Sequence, residues 1–181
     1  MAWSETDHFL YLAYGSNLHP LRLSDRVGPV ESLGKVCLPG WKLVFDKRGS
    51  DGSAKANLRA APGTEHEAWG ALFRLDRRQY ATLDRFEGAG RGYDTFWLDL
   101  PVDGRESTVL TYLSPSHWQL TDGVPHDWYL ALVALGAEYH AFPRTVFDQL
   151  ARQVAQPDPD PQRAEQHRQL IARLGQAGKP D

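Results

Sequence analysis

One cysteine and one methionine are all the sulfur in a chain of 181 residues. The lone thiol, Cys37, excludes an internal disulfide and any multi-cysteine metal site. No basic stripe is present and the net charge is −3, which argues against nucleic acid as a partner. No apolar run approaches the roughly 20 residues of a membrane span, and Met1 to His8 carry acids with no basic stretch. The expectation is therefore a soluble, cytoplasmic protein with no membrane partner. The histidines are scattered, and His117, His126 and His140 lack paired ligand spacing, so neither a metal nor another cofactor is expected. Gly88-Ala-Gly-Arg-Gly92 follows a helical segment and misses the third glycine of a dinucleotide loop.

What is present centres on Tyr11-Leu12-Ala13-Tyr14-Gly15-Ser16-Asn17-Leu18. Phe9 to Tyr14 is an apolar and aromatic run long enough for one buried strand. It ends in Gly15, Ser16 and Asn17, residue types that turn tightly or accept positive φ. Pro20 then opens a helix containing Leu21, Leu23 and Val27. A strand, a small-residue turn and a helix start leave several backbone N–H groups free at one point. Such a point suits a carboxylate, a phosphate or an oxyanion. The same pattern also makes an ordinary strand-to-helix turn. It is not a nucleophile elbow, because Gly-Ser-Asn-Leu lacks the second glycine.

The remaining chain reads as strands first and helices late. Val30 to Asp46 holds strand-like segments broken at Pro39-Gly40, and Lys47 to Ser53 reads as a polar loop without packing signal. Ala56 to Ala61 and the alternating Trp69, Ala71, Phe73 and Leu75 read as strands. Asp76 caps a helix to about Glu87, with Gln79 completing a capping pair. Phe96 to Val102 and Thr108 to Leu113 form a hairpin through Asp103-Gly104. Pro125 to His140 is an apolar helix that should be buried, and Pro143 starts another. The stretch 154–181 changes character to a Pro-rich linker and a charged, marginally helical, exposed tail.

Tyr80, Leu83 and Glu87 share one helix face, so a stripe facing the core ends in a carboxylate. The helix C-terminus disfavours negative charge there, and partial burial acts in the same direction. Both raise the pKa toward the range of a general base. A surface glutamate, or one paired with Arg85 or Arg91, is the alternative.

Phe9-Leu-Tyr-Leu-Ala-Tyr-Gly-Ser-Asn-Leu18 followed by Leu83-Asp-Arg-Phe-Glu-Gly88 resembles the gamma-glutamylcyclotransferase family. The Trp69-Gly70 strand and the Tyr129 to Gly136-Ala137 helix fit its order, so the resemblance spans roughly residues 8 to 153 of a single domain, residues 1–153. It implies a mixed α/β (α+β) fold around a closed, barrel-like mixed sheet flanked by helices, with both motifs meeting in one cavity. It also implies release of 5-oxoproline from a small γ-glutamyl compound without metal or cofactor. By the same resemblance Glu87 is the general acid/base. Tyr11, Leu12, Ala13, Tyr14, Gly15, Ser16 and Asn17 form the substrate loop, and Tyr129 lines the pocket; from its helix alone, Tyr129 reads as packing. Two outcomes stay open at this level: a cyclotransferase, or a catalytically silent binder of the same fold. A homodimer is left open as its assembly.

Overall fold

A computed structural model describes residues 7–177. The first six and last four residues, with most of the acidic N-terminal stretch and the end of the tail, lie outside the described residues. The elements run β1 (His8–Ala13), α1 (Pro20–Val27), β2 (Glu31–Pro39), β3 (Trp41–Arg48), β4 (Ala54–Ala60) and β5 (Glu67–Asp76). They continue with α2 (Tyr80–Glu87), β6 (Asp94–Val102), β7 (Arg105–Leu113), α3 (Asp127–Tyr139), α4 (Arg144–Arg152) and α5 (Pro161–Gln176).

The apolar run that makes β1 needs partners on both edges, and it has them. A five-stranded sheet has the order β2-β5-β1-β7-β6, with β1 antiparallel to β5 and parallel to β7. The fold is thus mixed α+β, as the sequence implied. The sheet curls into a half-barrel, and β3 and β4 pair as a separate two-stranded ribbon. The chain bends from β2 into β3 at Gly40, where φ is 75°. Gly40 donates to the His66 carbonyl at 2.8 Å, and Ala61 donates to the Gly40 carbonyl at 2.7 Å. Beyond β7, residues 119–124 reach the ribbon through single bonds, Leu120 N–H to Asp46 O (2.7 Å) and Ala54 N–H to Val124 O (3.0 Å). Scattered bonds, not a continuous ladder, complete the enclosure.

The expected capping pair at Asp76 is present, but it starts a short 3₁₀ turn over Arg77–Gln79 that feeds α2. Gly88 ends α2 in the left-handed conformation, at φ 68° and ψ 44°. The helix therefore stops with Glu87 as its last residue. α3 buries Trp128, Tyr129, Leu132, Val133, Gly136 and Ala137, as its apolar sequence requires. Among the described residues no helix is long and apolar enough to cross a membrane.

Two sequence expectations are corrected. Lys47 belongs to β3, and the loop after it carries residues that face the central cavity. The segment read as a marginal, exposed helix forms the 16-residue α5, which packs on α3. Asp160 caps it, accepting from Gln162 N–H and Arg163 N–H at 3.0 and 3.1 Å, and Pro161 stands in its first turn. Leu174 is fully buried, worth about 2 kcal/mol of transfer energy. The weak apolar stripe misled the reading because the anchor is polar. Asp158 accepts from Trp128 Nε1 at 2.8 Å and from Arg163 Nε at 2.6 Å, and the His167 ring stacks on Trp128 with centroids 3.6 Å apart.

Arg163 holds the Asp158 carboxyl well below the usual carboxylate range. A depressed carboxylate contributes stability that is complete above its unfolded value, near pH 4, and is lost as pH falls toward its folded value. Asp158→Asn should therefore lower stability by about 2 kcal/mol near neutral pH. It should also lose less than the wild type on acidification, as urea unfolding at two pH values would show. An unchanged acid limb would mean that α5 is held by other contacts.

Candidate active site

The site grows from the turn after β1. Gly15 accepts from Leu18 N–H at 3.1 Å, which closes the turn, and His19 caps α1 by accepting from Leu21 N–H through Nδ1. The N–H groups of Ser16 and Asn17 have no hydrogen-bond partner among the described residues. They are two free donors at one point. The turn does not place Gly15 at positive φ, contrary to one of the reasons sequence offers for a glycine there. What Gly15 supplies is closeness: a Cβ would stand 3.1 Å from both the Ala56 Cβ and the Tyr129 hydroxyl. Gly136 of α3 is tighter still, since a Cβ would stand 2.2 Å from the Leu18 Cβ.

That packing sets Asn17 against Glu87. Glu87 Oε1 accepts from Tyr11 Oη at 3.2 Å and from Asn17 Nδ2. The Asn17 carbonyl oxygen in turn accepts from Arg26 Nη1 at 2.8 Å. Glu87 has no ion pair among the described residues, and Arg85 bonds Thr82 instead. Its Oε2 carries no hydrogen bond there. Burial pushes the Glu87 pKa up, against the pull of Arg26, the Tyr11 hydroxyl and Lys47. The result is a carboxylate oriented through one oxygen, with the other free.

Above it lies a cavity of about 420 Å³. Tyr11, Tyr14, Gly15, Ser16, Asn17, Glu87 and Tyr129 all line it, so the two motifs separated in sequence meet there. Leu12 and Ala13 do not line it. They are fully buried in the core, where Leu12 packs on Gly70 of β5 and its carbonyl accepts from Thr111 Oγ1 at 3.0 Å. Tyr129 Oη accepts from Ala56 N–H at 3.1 Å, and its own proton remains to be donated. Tyr93, also on the wall, donates to the Ala56 carbonyl at 2.5 Å. Burial raises the pKa of Tyr11, Tyr14, Tyr93 and Tyr129, so all four stay protonated donors at neutral pH.

Sequence reasoning missed the cationic part of the wall. Arg22 and Arg26 stand one turn apart on α1, Lys47 lies near the end of β3 with its ammonium over the Tyr93 ring, and Arg163 and His167 come from α5. The i, i+4 spacing of the two arginines was visible; the arrival of α5 was not. No group of three or more potential metal ligands occurs among the described residues.

Residues 11–131 match the family described as gamma-glutamyl cyclotransferase, AIG2-like, and the chain belongs to that family. It is similar to the gamma-glutamylcyclotransferase of Mus musculus, with 27% identity over 154 residues, 82% of this chain and 80% of the mouse protein. The Homo sapiens gamma-glutamylcyclotransferase is 26% identical over 146 residues, 77% of this chain and 75% of that protein. A solved structure named gamma-glutamyl cyclotransferase superposes with a TM-score of 0.77 at 23% identity, covering 92% of this chain and 99% of that one. YkqA from Bacillus subtilis shares the fold at a TM-score of 0.68 and 19% identity, covering 83% of this chain and 57% of YkqA.

The relay from Arg26 through Asn17 to Glu87 can be tested without substrate. Asn17→Asp places a second carboxylate against Glu87, and the two cannot both ionise easily. The pair should titrate in two separated steps, the upper one above the wild-type Glu87 midpoint, as read from carbon-13 carboxyl shifts. A Glu87 titration unchanged from wild type would contradict the contact.

Proposed function

We propose that the protein is a γ-glutamyl cyclotransferase that closes a γ-glutamyl amide to 5-oxoproline and releases the amine or amino acid. One observation carries the reading. A carboxylate with a raised pKa is oriented through Oε1 and free at Oε2, inside a cavity that also presents the unpaired N–H groups of Ser16 and Asn17.

The chemistry follows from what the substrate brings. Its own α-amine is the nucleophile, tethered at the right length for a five-membered ring, so the site selects a folded-back conformer. At neutral pH the amine is an ammonium, which Glu87 Oε2 deprotonates. The nitrogen attacks the γ-carbonyl carbon, and the developing oxyanion needs donors in place beforehand. The Ser16 and Asn17 N–H groups and the Tyr129 hydroxyl are available. When the C–N bond breaks, Glu87 returns its proton to the leaving nitrogen. Over the cycle, the two protons lost by the ammonium end on the released amine. Tyr11 and Asn17 hold the base throughout, and neither a metal nor a redox step is required by the balance. A cytoplasmic site of action belongs to this reading and agrees with the free thiol of Cys37.

Glu87→Gln keeps the size and the capacity to accept from Asn17, but removes the base. Formation of 5-oxoproline from γ-glutamyl compounds should fall by about 10²–10⁴-fold or more. Ligand binding should survive. Because the folded-state pKa is raised, the ionised carboxylate is a burden above that pKa, so the variant should be as stable as the wild type or more so near neutral pH. A Gln variant turning over at the wild-type rate would eliminate Glu87 as the base, and a wild type making no 5-oxoproline would leave a silent binder.

A further inference from the structure

Tyr112 of β7 touches both motifs of the site, and the reaction above gives it no task. It is 2% exposed and lines the cavity. Its carbonyl accepts from the hydroxyl of Tyr14, at the head of the turn after β1. Its own hydroxyl donates to Asp84 Oδ1 on α2, one turn before Glu87. Burial and then Asp84 push the phenol well above its ordinary range, so the proton stays on the phenol oxygen and the carboxylate accepts.

The sheet explains why two tyrosines reach one helix. Tyr11 stands opposite Leu110 in the parallel β1–β7 pair, so Tyr112, two residues on, projects from the same face. The two rings meet edge to face, with centroids 6.2 Å apart. Tyr11 donates to Glu87 Oε1 at 3.2 Å, and Tyr112 donates to Asp84. Asp84 and Glu87 are three residues apart and share one face of the helix. α2 is thus tied to neighbouring strands at two points, one turn apart. The Asn17 amide reinforces the Glu87 point and leaves the other to Tyr112 alone. A helix held at one point is free to roll about its axis, and the second point removes that freedom.

The backbone of Asp84 completes the arrangement. Its carbonyl accepts from Gly88 N–H, the cap of α2, and from Ala89 N–H at 2.9 Å. The residue that closes the helix along its axis is therefore also the one fixed across to β7. α2 is eight residues long and Glu87 is its last, a length and a place at which helices fray without tertiary support.

We propose that the bond between Asp84 and Tyr112 is a positioning device for the reaction: it sets the rotation of α2 and so aims Glu87 Oε2 at the substrate ammonium. The inference rests on the cyclotransferase reading and adds two positioning residues to it. Asp84 and Tyr112 act through Glu87 and take no proton from the substrate.

Tyr112→Phe removes the donor and Asp84→Ala the acceptor. Each should lower kcat for 5-oxoproline formation by about 10–100-fold, the cost of a misplaced base, with KM little changed. Asp84→Asn keeps an oxygen that can accept from Tyr112, so it should retain most of the rate. Tyr112→Phe combined with Asp84→Ala should be no slower than the slower single variant, because both remove one bond. A merely structural contact would lower the melting temperature and leave kcat of the folded protein unchanged, and that result overturns the proposal. So does an Asp84→Asn variant as slow as Asp84→Ala, since the charge would then matter and not the bond. One measurement needs no turnover. A Glu87 that slips from Tyr11 loses a bond to its charged form, so its carbon-13 carboxyl midpoint should rise in Tyr112→Phe. If the wild type forms no 5-oxoproline but this midpoint rises, the enzymatic reading fails and the tie to Glu87 stands. An unchanged midpoint overturns the tie, whatever the activity.

Discussion

Two close approaches hold the site in place. At Gly15 the turn after β1 lies against Ala56 of β4 and the Tyr129 hydroxyl, and at Leu18 it lies against Gly136 of α3. Neither contact leaves room for a Cβ without something moving. A turn clamped from both sides has little freedom, so the Ser16 and Asn17 N–H groups are fixed before any ligand arrives. His140 adds a third constraint through its ring nitrogen, 2.8 Å from the Leu18 carbonyl. Preorganisation of this kind is what makes backbone donors effective toward developing charge.

The clamp also decides the electrostatics of Glu87. A guanidinium in direct contact would pull a carboxylate pKa down by one to three units, roughly, and leave a weak base. Asn17 stands between Arg26 and Glu87 instead, accepting from one and donating to the other. The amide passes on orientation while keeping the cation one residue away. Burial then wins, and the carboxylate stays above its ordinary range. Aspartate at position 17 could accept from Arg26 but could not donate to Glu87, so the relay depends on the amide.

Local pattern made much of this legible in the sequence. β1, its turn, the capping pair at Asp76 and the Glu87 stripe rest on short-range rules, and the structure places them as read. Leu12 and Ala13 belong to the contiguous motif, yet both are buried in the core and neither reaches the cavity. Lys47 was lost to a loop because a single lysine carries no packing signal, and its anchor, the Tyr93 ring, is distant in sequence. α5 was undervalued for a similar reason. Its attachment is a buried carboxylate, a tryptophan N–H and a ring stack, none of which adds to an apolar periodicity.

The seating of β1 has a consequence for how the molecule is made. Its parallel partner is β7, with Leu10 opposite Val109 and Tyr11 opposite Leu110, so the chain from β1 to β7 must be looped out before that edge is satisfied. Such nonlocal pairing is costly in chain entropy and slows folding relative to structures built from neighbours. The turn that carries the donors follows directly from this strand, and Glu87 is delivered by a helix formed between the two partners. A chain that has paired only β2 with β5 and β3 with β4 holds much local structure and none of the constellation around Glu87. The proposed chemistry therefore needs closure across the sequence, because the turn, Glu87 and Tyr129 come from separate elements.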